Sequence, residues 1–283
     1  MKVPRSLQPL IEDGIIDSVV RRLRSGKEAS VFIVECRGEL RCAKVYKDAD
    51  HRGFHRLAEY QEGRKVRGSR DARALRNSGR HGRELQEAQW KTAEVAALYT
   101  LDRAGVRVPK PYGVFDGVLL MELVADEQGH PAPRLGDLAI TPEQARLWHS
   151  FLISQVVLML GAGLIHGDLS EFNVLVDAVG PVIIDLPQAV NASSNNNAFR
   201  MLERDINNLR ETFARSAPEL LDTHYAHEIW ALYGAGLLTP DSVLTGRYVF
   251  DETAADVDGV LAHIEDERLE AEERERRLAE VNA

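Results

Sequence analysis

Cysteine is scarce: Cys36 and Cys42 are the only two among 283 residues, both in strand-like sequence near the start. They predict small buried side chains, kept reduced as in an intracellular chain. Positive charge is also short, with 35 Lys and Arg against 44 Asp and Glu and a net charge of −9. That balance argues against nucleic-acid or anionic-membrane binding by the whole surface, while leaving room for a local basic patch. Long apolar runs are missing. The longest, near residues 151–164, is interrupted by Ser154 and Gln155 and is too short and too polar to span a bilayer. The first twenty residues hold acidic side chains and Pro4 and no small-residue cleavage site, so they do not read as a secretion signal. What is left, 44% hydrophobic with ordinary charge, describes a globular cytoplasmic protein with a sizeable core and no membrane partner.

The chemistry is concentrated between residues 166 and 185. His166-Gly167-Asp168-Leu169-Ser170-Glu171-Phe172-Asn173 is followed by Val182-Ile183-Ile184-Asp185. Transfer of a γ-phosphoryl group needs an acceptor beside the attacking hydroxyl and metal ligands that neutralise the phosphate oxygens. Asp168 suits the first task. Asn173, five residues on, has the spacing of the metal-binding Asn in the protein-kinase loop H-R-D-L-x-x-x-N. Asp185 ends an apolar run that reads as a buried strand, and its carboxylate with the Asn173 amide oxygen makes a hard donor pair suited to Mg²⁺. Singly, each would pass for a turn or strand-end residue. Together, after a long apolar helix, they point to a kinase-like enzyme.

Upstream, Leu7, Leu10, Ile11, Ile15, Ile16, Val19, Val20 and Leu23 recur at helical spacing with a break at Gly14, predicting an N-terminal helical segment over residues 1–24. Val31-Phe32-Ile33-Val34, the turn Arg37-Gly38-Glu39 and residues 40–46 predict a hairpin. Residues 24–31 can be laid on the kinase phosphate loop G-x-G-x-x-G-x-V, but Gly26 alone of its three glycines is present, and by itself a turn glycine explains it better. It is not a Walker loop, because Gly26-Lys27 leads through Glu28 into a strand. Lys44 improves the match: it falls on the paired strand, where a kinase keeps its phosphate-contacting lysine, with Ala43 and Val45 on the opposite face. Glu94 is its expected partner, on a helix over 84–103 among Trp90, Ala93, Ala97, Leu98 and Leu101, where a carboxylate needs a cation. Between them an Arg-rich insert at about 47–83 reads as a mobile basic segment, either a contact for RNA, ribosome or an acidic partner or a solvated linker. His51 and His55 find no Cys or Glu to complete a zinc set. Asp116-Gly117 predicts a second hairpin turn before Val118-Leu119-Leu120-Met121-Glu122, and Thr141-Pro142-Glu143-Gln144 a capped helix start. Residues 251–283, with Glu270–Arg274 and Glu272–Arg276 at i,i+4 spacing, predict a charged helix or tail.

Taken in order, Ser25 through Val31, Ala43-Lys44-Val45-Tyr46, Trp90 with Glu94, Leu119-Leu120-Met121-Glu122, His166 through Leu175, and Ile184-Asp185-Leu186-Pro187 resemble the RIO family of atypical serine/threonine protein kinases, most like its type-one branch. The resemblance implies an α+β, two-lobed protein-kinase-like fold. A small β-rich N-lobe would occupy residues 25–124 and a reduced helical C-lobe 125–250, with ATP and Mg²⁺ or Mn²⁺ in the cleft. Carried over by position, Gly26, Lys27, Glu28, Ala29 and Ser30 would cover the phosphates, and Lys44 with Glu94 would position them. Met121 would back the adenine, the Glu122 carbonyl and Val124 amide would meet its edge, and Val31, Leu175 and Ile184 would sandwich it. Asp168 would be catalytic, and Asn173 and Asp185 would hold the metal. Asp185 is also implied as an aspartyl-phosphate site, which would add ATPase activity. Implied partners are ATP and a protein substrate or the chain itself; contact with a ribosomal particle or RNA rests on the Arg-rich insert alone.

Two other classes stay open: a small-molecule phosphotransferase of the aminoglycoside type, which shares the H-G-D…N loop and I-D strand end, and a ribosome assembly factor switched by nucleotide. Gly167 stands where ordinary kinases have Arg, and Leu186-Pro187 where they have Phe-Gly. Regulation by an activation-loop phosphate and a peptide-docking platform are therefore not expected, and Ala217-Pro218-Glu219 reads as a chance likeness to A-P-E.

Overall fold

The apolar residues at the start fold into one helix and one strand, where two helices were expected. In the computed structural model, which describes residues 3–26, 29–47 and 93–249, helix α1 (Gln8–Glu12) buries Leu10 and strand β1 (Ser18–Ser25) follows the break at Gly14. The predicted helical segment over 1–24 is therefore half sheet, and its boundary falls inside β1. Over so short a span the same residues fit periods of 3.6 and 2. The β-branched Val19 and Val20 and the partner strand β2 decide for sheet.

Strands β2 (Ala29–Cys36), β3 (Glu39–Tyr46), β4 (Pro111–Phe115) and β5 (Val118–Glu122) complete an antiparallel sheet of order β1-β2-β3-β5-β4. Both predicted hairpins form. At the β4–β5 turn Asp116 and Gly117 have φ of 46° and 77°, the left-handed pair that matches the twist of the flanking strands. Register makes the sheet two-faced. Val31, Lys44 and Leu119 are paired across β2, β3 and β5, as are Ile33, Cys42 and Met121. The alternate residues Phe32, Val34, Ala43 and Leu120 pack with Leu7 and Leu10 of the α1 segment. Full burial of those two leucines contributes about 1.5–3 kcal/mol each. Cys36 and Cys42 are buried free thiols, as expected.

The second lobe is helical, giving the α+β kinase-like architecture the sequence suggested. The described part of α2 covers residues 93–103. Helix α3 (Pro142–Gly161) opens on the predicted capping box: the Gln144 N–H donates to Thr141 Oγ1 at 3.2 Å, and the Thr141 N–H to Gln144 Oε1 at 2.9 Å. Its core face carries Ala145, His149, Leu152, Val156 and Leu160. Gln155, which broke the apolar run, is buried and accepts the Arg107 N–H at 2.8 Å. Helix α4 (Ala198–Ala214) turns Met201, Leu202, Ile206, Leu209 and Phe213 inward, and α5 (Tyr225–Gly234) packs against α3 and α4. Two short pairs, β6 (Leu164–Ile165) with β9 (Val190–Asn191) and β7 (Val174–Val176) with β8 (Pro181–Ile183), frame the loop 166–173.

The described residues through Arg247 belong to one compact unit. The Arg-rich insert beyond residue 47 and the charged segment at 251–283 lie outside the described residues. Among the described residues no helix is long and apolar enough to cross a membrane.

Candidate active site

β8 and the loop after β6 deliver the two carboxylates. The His166 ring ties them together: its Nδ1 accepts the Asp168 N–H at 3.2 Å, so its Nε2 carries the proton and donates to the Ile184 carbonyl at 3.1 Å. A second tie is the Ile184 N–H donating to the Asn173 carbonyl at 2.9 Å. Asn173 is buried, and its amide nitrogen donates to the Asp168 carbonyl at 2.8 Å and reaches Asp168 Oδ2 at 3.3 Å. With the nitrogen engaged there, the amide oxygen is the atom left for a cation. Asp185 sits at φ 68°, a left-handed backbone that Asp tolerates better than bulky or branched residues do.

Lys44 stands between Glu94 and Asp185. Its ammonium pairs with the Glu94 carboxylate and lies 3.0 Å from Asp185 Oδ1. Burial opposes the ammonium, yet the charges of Glu94 and Asp185 outweigh it and raise the Lys44 pKa above its ordinary value. Enclosure likewise acts to raise the Asp185 carboxyl, but Lys44, then His166 and Arg134, hold it below the usual value. Lys44, Glu94, Arg134 and Asp185 open onto a cavity of about 500 Å³ between the sheet and the second lobe, whose lining does not include His166, Asp168 or Asn173. Its lining includes Gly26, Ala29, Val31, Lys44, Glu94, Met121, Glu122, Val124, Leu175, Ile184 and Asp185. Lys27 and Glu28 fall outside the described residues. Ser30 is not part of the lining; its hydroxyl lies 3.3 Å from that of Ser25. Among the described residues no group of three or more His, Cys, Asp and Glu could hold a metal alone. The Asn173 and Asp185 oxygens still suit Mg²⁺, which keeps waters and takes substrate phosphates to complete its shell.

The sequence pattern of the RIO domain matches residues 30–226. The chain belongs to the RIO family. It is 34% identical over 215 residues to the RIO-type serine/threonine-protein kinase Rio1 of Haloferax volcanii, covering 76% of this chain and 69% of that protein. Against the serine/threonine-protein kinase RIO1 of Homo sapiens it is 28% identical over 208 residues, 73% of this chain but 35% of the human protein. Among solved structures it is similar to a Rio2 kinase–ADP/Mg²⁺–phosphoaspartate complex from Chaetomium thermophilum, with TM-score 0.52, 25% identity, and coverage of 74% of this chain and 59% of that one.

The RIO domain also holds residues that motif spacing did not reveal. Asp205, on the buried stripe of α4, accepts the Gly167 N–H at 2.7 Å and the Leu169 N–H at 2.9 Å. Burial pushes its carboxyl up to about 6, against the pull of His166 and the two N–H donors. Arg204 donates to the Gly167 carbonyl and Asn208 to the Leu169 carbonyl. Gly167 has φ 80°, so the residue that replaces the ordinary kinase arginine supplies a backbone shape that arginine would adopt only under strain. Asp205 had a signal in the sequence, a carboxylate in the Met201, Leu202, Ile206 and Leu209 stripe. On the other lobe, Lys47 Nζ donates to Ser25 Oγ at 2.9 Å and the Gly26 carbonyl at 2.6 Å, tying the end of β1 to the end of β3. Arg24, Cys42, Arg134 and Asp137 are further lining residues that the motifs did not single out.

Proposed function

We propose that this RIO domain is an ATP- and Mg²⁺-dependent serine/threonine protein kinase that can also pass the γ-phosphate to Asp185. The reading is carried by Lys44, held between Glu94 and Asp185 in the cavity that also contains Gly26, Val31 and Met121. The Lys44 ammonium would bind the α- and β-phosphates, with Glu94 fixing its position. Mg²⁺, held by the Asn173 amide oxygen and the Asp185 carboxylate, would neutralise charge on the phosphate oxygens. Asp168 orients the acceptor hydroxyl and takes its proton as the hydroxyl oxygen bonds to the γ-phosphorus; the bond from that phosphorus to the bridging oxygen breaks and ADP leaves. In the second route an Asp185 carboxylate oxygen makes the same attack, giving an acyl phosphate and ADP, and water then hydrolyses it to inorganic phosphate. The depressed Asp185 pKa keeps that carboxylate ionised, and the similar Rio2 structure carries phosphoaspartate with ADP and Mg²⁺.

Incubation with γ-labelled MgATP tests both routes. Label resistant to hydroxylamine marks a hydroxyl acceptor, and label it removes marks the acyl phosphate. Asp168→Ala is expected to lower transfer to hydroxyl groups by about 10²–10⁴-fold, the scale of a general base. Unchanged transfer in that variant sinks the assignment. Contact with ribosomal particles belongs to the same proposal, and co-sedimentation with ribosomal subunits, with and without ATP, checks it.

A further inference from the structure

Helix α4 has a second face that the nucleotide site does not use. Opposite its buried stripe it lines a polar groove, separate from the nucleotide cavity, that includes Arg200, Arg204, Asn207, Asn208, Glu211 and Glu203, whose carboxylate lies 3.6 Å from His227 Nε2. Arg200, Arg204, Asn207 and Glu211 recur at three- and four-residue steps, so they form one line along the helix, with Asn208 beside it. The groove wall grips the catalytic loop on both sides of Asp168: Arg204 donates to the Gly167 carbonyl, and Asn208 Nδ2 to the Leu169 carbonyl at 2.9 Å. Arg200 and Glu211, toward the two ends, are exposed, and neither makes an ion pair or hydrogen bond among the described residues.

We propose that this groove docks an extended segment of the protein substrate and brings its Ser or Thr to Asp168, in place of the platform that an activation segment would otherwise provide. The proposal rests on the kinase reading above. Arg200 and Glu211 are eleven positions apart on the helix, about 16 Å at about 1.5 Å per residue. That length takes about five residues of extended chain at about 3.3 Å each. The Gly167 and Leu169 carbonyls that flank Asp168 are held by Arg204 and Asn208, near the middle of the line. The hydroxyl residue is therefore flanked by an acidic side chain about two residues toward Arg200 and a basic one about two residues toward Glu211. The Asn207 amide and the remaining Asn208 oxygen supply a donor and acceptors for peptide main chain. A nucleic-acid strand suits the groove poorly, because Glu203 and Glu211 share it with the arginines.

The test uses the full chain and fluorescent Ser-centred peptides carrying acidic, basic or neutral residues at either side. In anisotropy titrations the acid–Ser–base arrangement is expected to bind best. Arg200→Glu should weaken that peptide by about five- to tenfold and favour a peptide with the acidic residue exchanged for a basic one; Glu211→Arg should do the same at the other end. KM for peptide phosphorylation should follow binding, while kcat and MgATP hydrolysis without peptide stay at the wild-type level. Equal binding by wild type and both variants, or no binding of any peptide, overturns the groove. Absence of MgATP turnover in wild type overturns the kinase reading instead, and the binding comparison still decides the groove because it needs no chemistry.

Discussion

Glu94 does more than balance a charge. Lys44 is taken from water on the inner face of β3, and two carboxylates compete for its ammonium. If Glu94 loses its charge, Asp185 becomes the dominant partner and draws the ammonium toward itself, away from the proposed phosphate contact. Glu94→Gln is therefore expected to reduce MgATP turnover by about 10²-fold, the scale of an ångström-level misplacement, with thermal stability changing far less than activity. Turnover within a fewfold of wild type in a folded variant would show that Lys44 needs no positioning carboxylate. At this scale, the residues proposed to meet phosphate chemistry were legible as a group: Lys44, Asp168, Asn173 and Asp185 stand at the spacings that reaction asks for, and the fold brings Lys44 to Asp185 and Asn173 to Asp168. Asp205, Arg204 and Asn208 were not, because they act on the main chain of the loop from another helix. Their distance in sequence is set by the fold: the apolar stripe around Asp205 marks a buried carboxylate, but no local pattern says which loop it meets.

At the level of elements, termini decide as much as interiors. α3 delivers the strand and loop that carry Asp168, and its start is held by reciprocal Thr141 and Gln144 hydrogen bonds. Removing the hydroxyl in Thr141→Ala leaves an N–H of the first turn without its acceptor. The expected cost is about 1 kcal/mol, read as a fall in Tm of about 2–4 °C for a domain of this size, with kcat unchanged. A Tm equal to wild type would mean that water replaces the cap without loss. This helix was legible because cap, proline and apolar run all pointed the same way. β1 was not, because its Val and Leu positions fit a helix as well as a strand, and the preference came from β2, which a local window does not contain. The same reasoning covers α4: its amphipathic stripe marks a helix, but the hold of Arg204 and Asn208 on the loop 166–173 emerges only once that loop is laid against it.

Across the whole molecule, two buried groups pull the pH dependence of stability in opposite directions. His149 of α3 is enclosed between Phe213 and Tyr225, with ring centroids at 5.8 and 5.7 Å, and its buried Nε2 has no partner among the described residues. Burial, with Arg210 adding repulsion, lowers its pKa from 6.5 to about 4. Its contribution is full above the unfolded value and is lost as pH falls through the folded one. Asp205 has the reverse sign: raised from 3.8 to about 6, its contribution is full below the unfolded value and is lost as pH rises through the folded one. Each shift is worth about 3 kcal/mol. Between pH 4 and 6 the unfolded chain gains a proton at His149 and gives one up at Asp205, so the two slopes nearly cancel. Single substitutions should uncover them. In His149→Phe, which keeps a ring in the same packing, urea stability should fall as pH rises from 4.5 to 5.5 relative to wild type. In Asp205→Asn it should rise over the same interval, each by up to about 1.4 kcal/mol per pH unit. Asp185 and Glu171, both held below their usual carboxyl values, add a loss of stability at the acid end that all three proteins share. Slopes of the same sign in the two variants would rule out the opposition, and a wild-type slope as steep as either variant's would rule out the cancellation.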